Sequence, residues 1–285
     1  MKYYTFVLSN DEATKINKIY DQYKVPNSNE HVAFQAKRNN VDLLLYNSGK
    51  LLLRGLELKS EIAFIKDILE RMDYSAIGSD EVGTGDVFGP VTVCAAYVTL
   101  DDIEFLESLN VRDSKSVNDK YVIENAPKIA KRIQHSLIIL DPLKYNQLVK
   151  EGYNLNKIKA QLHNQAIISI HNKIKNKDVP IIVDQFCSPQ QYFNYLKEEL
   201  LVHREIDFQT KAENYHISVA AAAIIARYAF LYSMQKLSRD LGVTLLKGAS
   251  KSVDQQLQEI VKKHGVKKLK EIAKTNFKNV TSLIP

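Results

Sequence analysis

The chain has 285 residues, 45% of them hydrophobic and 25% charged, enough for a real core in one large domain or two smaller ones. Two cysteines, Cys94 and Cys187, exclude a disulfide framework and a cysteine-based zinc site, and no basic-then-apolar leader opens the sequence. A net charge of +6 and a pI near 9.0 permit an acidic partner without requiring one.

In chain order, Tyr3–Leu8 has the pattern of a strand, and Asn10 or Asp11 could cap a helix running to about Tyr23. Strand-like runs at His31–Lys37 and Val41–Tyr46 precede the turn Asn47-Ser48-Gly49-Lys50 and a further strand at Leu51–Arg54. Leu58, Ile62, Ile65, Ile68 and Leu69 recur at helical spacing, which predicts a helix over Glu57–Met72. Residues 1–72 therefore form a small α+β domain, carrying 11 basic and 9 acidic residues. Its tyrosines, Tyr3, Tyr4, Tyr20, Tyr23 and Tyr46, suit strand packing or stacking on bases.

The second domain, 73–285, opens with a strand at Ser75–Ser79, a Gly-rich turn over Gly83–Pro90 and a strand at Val91–Leu100. A helix over Asp119–Arg132, an apolar run Ser136–Leu140 and a helix over Leu155–Lys175 follow. Pro180–Val183 reads as a short buried strand ending on Asp184, Ser188 or Pro189 opens a helix to Leu200, and Leu201–Phe208 returns as a strand. His216–Leu237 is a long, apolar, Ala-rich helix expected deep in the core; its apolar stretch Val219–Leu231 is broken by Arg227 and too short to span a bilayer. A reducing cytoplasm fits these features. Paired strands followed by strands alternating with helices predict an α/β fold, a mixed sheet with helices on its faces. The last 36 residues carry eight Lys against Asp254, Glu259 and Glu271, either a phosphate-tracking tail or a solvated amphipathic helix end.

The chemistry concentrates in Asp80-Glu81-Val82-Gly83-Thr84-Gly85-Asp86-Val87-Phe88-Gly89-Pro90. Two carboxylates end an apolar strand, but neighbours on a regular strand point to opposite faces. A bulge, or a metal reached through a backbone carbonyl, would be needed to bring both to one pocket. Gly83 and Gly85 let backbone N–H groups approach a sugar or phosphate. Asp184 ends its own strand, the end at which ligands collect in open α/β sheets. Glu213 stands just before the long buried helix, where an acid also favours a helix start. Together, Asp80, Glu81, Asp184 and Glu213 would repel one another unless two divalent cations, roughly 3.5–4 Å apart, neutralised them and supported in-line phosphoryl displacement. All-oxygen ligands favour magnesium or manganese over zinc. Cys187 near Asp184 lacks a partner at metal spacing, and His216 is either an acid–base group or metal ligand, or a polar residue of the first helical turn facing solvent.

At these residues the sequence resembles the type 2 ribonucleases H. The Asp80–Pro90 segment is similar to the family's first motif, Val111-Arg112-Asp113-Ser114-Lys115 to its second, and Ile182-Val183-Asp184 to its third. Lys211-Ala212-Glu213 with Ser218–Arg227 resembles the stretch that holds the fourth acid; Glu213 stands where HII relatives usually have Asp. HII enzymes usually carry Arg or Lys between the two glycines and then Pro; Thr84 and Asp86 resemble the HIII branch instead. So does the N-terminal block, since HIII enzymes carry a substrate-holding domain resembling the TATA-binding protein. The resemblance implies a ribonuclease H-like sheet and an endonuclease that cuts the RNA strand of RNA–DNA hybrids, leaving 5′-phosphate and 3′-hydroxyl ends. It further implies that the Gly83, Thr84 and Gly85 backbone reads 2′-hydroxyls, and that Ser114, Lys115 and Lys211 contact phosphate. A monomer acting in replication, with no stable protein partner, is the remaining expectation.

Overall fold

The computed structural model describes residues 1–69, 74–111 and 117–283. They form two compact units, Met1–Tyr74 with Ile103–Asp113, and Ser75–Asp102 with Ser114–Pro285.

The first unit is a five-stranded antiparallel sheet in the order β1-β5-β4-β3-β2. Its strands are β1 (Lys2–Val7), β2 (Lys24–Val25), β3 (Val32–Arg38), β4 (Val41–Tyr46) and β5 (Lys50–Gly55). Alternation sends Tyr4, Phe6, Phe34, Ala36, Leu43, Leu51 and Leu53 into a core shared with Ile16 of α1 (Asn10–Ile19) and Ile65 of α2 (Lys59–Ile68). The cap of α1 is Ser9, one residue before the expected position. Its hydroxyl accepts from Glu12 N–H while the Glu12 carboxylate accepts from Ser9 N–H, a reciprocal box that Asn10 could not close with Ala13. That helix stops at Ile19, and only a single 3-10 turn, Asp21–Tyr23, covers the rest of the expected span. Buried Glu61 on α2 accepts from Tyr20 Oη at 2.5 Å and from Arg38 Nη1 at 2.9 and 3.1 Å, so a charge in the core is fully paired. The opposite sheet face carries a cross-strand row, Tyr3, Arg54, Asp42 and Lys37, with Tyr3 62% exposed.

The second unit is built on a mixed sheet in the order β10-β9-β6-β7-β8. Strands β6 (Ala76–Val82), β7 (Val91–Val98) and β8 (Gln134–Leu140) form an antiparallel meander, while β9 (Ile181–Asp184) and β10 (Asp207–Gln209) run parallel to β6. The helices are α3 (Leu100–Ser108), which continues into the first unit, α4 (Asp119–Arg132), α5 (Pro142–Lys150), α6 (Leu155–Lys173), α7 (Pro189–Tyr195), α8 (Ile217–Leu241), α9 (Lys251–Ile272) and α10 (Lys278–Thr281). On one face Ile158, Leu162, Ala166, Ile167 and Ile170 of α6 pack on Ile77, Val93, Ala95, Ile181 and Val183. On the other, α8 lies so close to β6 that a Cβ at Gly78 would stand 2.2 Å from Val219 N. Thr92 of β7 donates to the Ala226 carbonyl of the same helix at 3.0 Å.

Several boundaries differ from the sequence expectation. Strand β6 does not end at Ser79 but runs through Asp80, Glu81 and Val82, held in unbroken register by β7. Of Leu201–Phe208 only its end is extended, as the three-residue β10 paired to β9, and α7 stops at Tyr195. Helix α8 is 25 residues long, and its apolar composition would suffice to cross a membrane; 67% of its most apolar window is buried within the protein, as in a core helix. The basic C-terminal stretch is helical rather than a tail, broken in α9 at Gly265 (φ 80°, ψ 166°), with Val253, Leu257 and Ile260 buried before the break and Leu269 and Ile272 after it.

Candidate active site

Parallel pairing sets the site. Ser79 is in register with Val183, so Asp80 and Asp184 occupy the next positions at the carboxyl ends of adjacent strands. Their faces follow from their neighbours. Ser79 and Glu81 turn toward α6, so Asp80, like Gly78, belongs to the α8 face; Asp184 shares that face with Ile182. Asp184 also pairs with Gln209 of β10, and its carboxylate accepts from Ala212 N–H at 2.9 Å. That bond ties down the 3-10 turn Ala212–Asn214 that carries Glu213, entered through Lys211 in the left-handed region at φ 58°. Glu213 itself is only 2% exposed. The fold thus collects Asp80, Asp184 and Glu213 on one side of the sheet.

Glu81 is placed differently. With no bulge in β6, its carboxylate turns to α6, where Lys159 Nζ lies 2.5 Å from Oε1 and His163 Nε2 2.9 Å from Oε2. The other His163 ring nitrogen meets Ser79 Oγ at 2.8 Å. Phe186, two residues after Asp184, stacks on the His163 ring at 5.3 Å and underlies the Lys159 ammonium at 4.0 Å. Burial alone would push the Glu81 carboxyl up, but its hydrogen bond and electrostatic interaction with His163 and those with Lys159 outweigh it and hold it below the usual carboxylate range. Sequence reading missed Lys159 and His163. Their signal was two polar residues, four apart, on the buried apolar face of α6.

The glycine turn closes with an Asp86 N–H to Gly83 carbonyl bond at 3.4 Å, which makes Thr84 and Gly85 its central residues. Gly83 has φ 93°, and a Cβ there would stand 2.2 Å from the Pro90 carbonyl, so the main chain itself requires glycine. At exposed Gly85 nothing beyond its chain neighbours lies within 4 Å of the Cβ position, so the fold leaves this side of Gly85 open.

Ser114 and Lys115 lie outside the described residues. Lys211 is exposed. His216 caps α8, its Nε2 2.9 Å from Gln209 Oε1. Cys187 is a free thiol, which partial burial pushes up from its ordinary value. Among the described residues no three His, Cys, Asp or Glu side chains stand close enough to hold a metal ion together. The donor set nonetheless suits a hard divalent cation, since Asp80, Asp184 and Glu213 offer only carboxylate oxygens on a common face.

Comparison with known proteins identifies the family. The family model described as ribonuclease HII matches residues 77–280, and a domain family of unknown function matches residues 5–68. Ribonuclease HIII of Phytoplasma mali is 49% identical over 283 residues, covering 99% of this chain and 98% of its own. Ribonuclease HIII of Bacillus subtilis is 41% identical over 267 residues, 86% of this chain and 85% of its own. The crystal structure of Bst-RNase HIII in complex with Mn2+ superposes with a TM-score of 0.75 at 33% identity, covering 99% of this chain and 98% of that one. With the family model spanning most of the chain and HIII enzymes matching it nearly end to end, the chain belongs to the type 2 ribonuclease H family and is an enzyme of that family.

Proposed function

We propose that the chain is a divalent-metal-dependent endonuclease that hydrolyses the RNA strand of RNA–DNA hybrids, leaving 5′-phosphate and 3′-hydroxyl ends. One observation carries the reading: Asp80, Asp184 and Glu213 lie on one side of the sheet, beside a turn at whose exposed Gly85 the Cβ direction is open. Asp80, Asp184 and Glu213 would hold a pair of magnesium or manganese ions, with Glu81 contributing its backbone carbonyl while Lys159 and His163 retain its carboxylate. Bound there, the ions supply the Lewis-acid charge that in-line phosphodiester hydrolysis needs.

The protein's own groups do the positioning. The Gly83–Gly85 backbone meets the ribose 2′-hydroxyl, the group that separates RNA from DNA. Lys211, with Ser114 and Lys115, takes phosphates as point contacts. The open sheet face of the first unit, with Tyr3, Lys37 and Arg54, holds the hybrid as a substrate-binding domain, residues 1–72, ahead of a catalytic domain, 73–285. The setting is a cytoplasmic monomer working on primers and hybrids during replication. The test is Asp80→Asn in the full chain. Hybrid binding should survive while magnesium-dependent cleavage falls roughly a thousand-fold or more, the several kcal/mol that metal charge contributes to the transition state. Retained cleavage would refute the assignment.

A further inference from the structure

The C-terminal part of the second unit grips the glycine turn through a residue that lies outside every motif described above. Lys274, just past α9, is completely buried. Its Nζ donates to the Asp86 carbonyl at 2.6 Å and to the Gly89 carbonyl at 2.8 Å. Its backbone N–H donates to the Val87 carbonyl at 2.9 Å, Gly89 N–H donates to the Ile272 carbonyl at 2.9 Å, and Phe88 bridges Ala273. From another side, Val87 N–H donates to the Gly248 carbonyl at 3.0 Å, and Gly248 N–H to the Asp86 carboxylate at 2.6 Å. Val87 and Phe88 are sealed among Phe230, Met234, Leu269 and Ile272.

Burying an ammonium is unfavourable, and an apolar chain of like volume would fill this place without that cost. What only a donor can do here is satisfy two turn carbonyls that face away from water. Asp86 is the joint: its N–H closes the turn onto Gly83, its carbonyl takes Lys274 and its carboxylate takes Gly248. Immobilising Asp86 fixes the plane of the Thr84-Gly85 peptide.

We propose that Lys274 is a positioning residue that sets the Thr84-Gly85 peptide for ribose recognition, so that selectivity for RNA depends on a side chain in the C-terminal segment. The proposal rests on the reading of the turn given under Proposed function. Its test uses the full-length enzyme and two substrates: an RNA–DNA hybrid, and the same hybrid with one 2′-deoxy nucleotide beside the mapped cut. Selectivity is the ratio of kcat/KM between them. Lys274→Met should lose about ten-fold or more of the wild-type selectivity, with KM for the hybrid within about two-fold, because misplacing a recognition group by an ångström is felt in the transition state. Lys128→Met on exposed α4 should keep it. A folded Lys274→Met enzyme with wild-type selectivity overturns the proposal. Should that variant not fold, Lys274→Gln decides, since its shorter amide cannot reach both the Asp86 and Gly89 carbonyls: lost selectivity supports the clamp and unchanged selectivity overturns it. A wild type that cuts hybrids without ribose selectivity contradicts the reading of the turn itself. A selective wild type beside an equally selective variant contradicts only the part assigned to Lys274.

Discussion

Replacing Gly78 with alanine should damage both the fold and the site, and the structure says by how much. A Cβ at Gly78 would stand 2.2 Å from Val219 N, 2.3 Å from Ser218 C and 2.7 Å from Ser218 O. All three are backbone atoms of α8, so no side chain can rotate away. Reaching the 3.0 Å that real Cβ atoms respect needs a shift of at least 0.8 Å between β6 and α8. Forcing one extra methyl into a close-packed interface costs about 1–3 kcal/mol, and here the upper end applies because both neighbours are main chain. For a unit of this size, ~3 kcal/mol is roughly 6–12 °C in Tm. The same shift separates Asp80, on β6, from Glu213, on the turn that feeds α8, and an ångström of misplacement can cost about a hundred-fold in rate. Gly78→Ala should therefore melt several degrees lower and, at a temperature where it remains folded, cut hybrids at least about a hundred-fold more slowly. A variant that melts within ~2 °C of wild type and keeps its rate would refute the claim that this contact sets the distance between strand and helix.

Lys159→Met should destabilise by about 3 kcal/mol in denaturant titration, since it strips a buried carboxylate of its ammonium; combining it with Glu81→Gln should restore most of that, and additive losses would argue against the pair. Burial pushes the Lys274 ammonium down to about 7, the Asp86 charge opposing, from 10.5 in the unfolded chain. Between those values the unfolded chain binds the extra proton, so stability rises with pH across that window, and the penalty is fully present below 7. Relative to Lys274→Met, the wild type should gain stability by several kcal/mol from pH 7 to 10.5, and parallel Tm profiles of the two proteins would contradict this. On the first unit, Lys37→Ala and Arg54→Ala should each weaken hybrid binding and lower the slope of log affinity against log salt by about 1. An unchanged affinity and slope would remove this sheet face from the substrate path.

Part of the candidate site's placement was legible because it is local. Asp184 ends β9 and Glu213 sits in the turn before α8, positions that hydrophobic runs reveal directly, whereas β6 runs on past Asp80 to Val82. The long helix α8 was legible for the same reason, since a continuous Ala-rich apolar run has nowhere to go but the core. What stayed hidden depends on partners far apart in sequence. The side to which Glu81 turns follows from the unbroken β6–β7 register, not from its own neighbours. Lys159 and His163 act on Glu81 across about 80 residues, and Lys274 acts on Asp86 and Gly89 across about 190. The short β10 was overread because Leu201–Phe208 has strand-like composition but only its last residues find an edge on β9. The basic C-terminus offered two readings, and its buried Val253, Leu257, Ile260, Leu269 and Ile272 select the helical one.

The measurement that tests the central claim most directly is cleavage of two end-labelled substrates, a continuous RNA–DNA hybrid and a DNA duplex holding one ribonucleotide, in magnesium and in manganese with a chelator control. The account predicts efficient cutting of the hybrid alone, with either metal, 5′-phosphate products, and no cutting in chelator. Efficient incision at the lone ribonucleotide would contradict the branch assigned through Thr84 and Asp86, and cutting that persists in chelator would contradict the metal-dependent chemistry assigned to Asp80, Asp184 and Glu213.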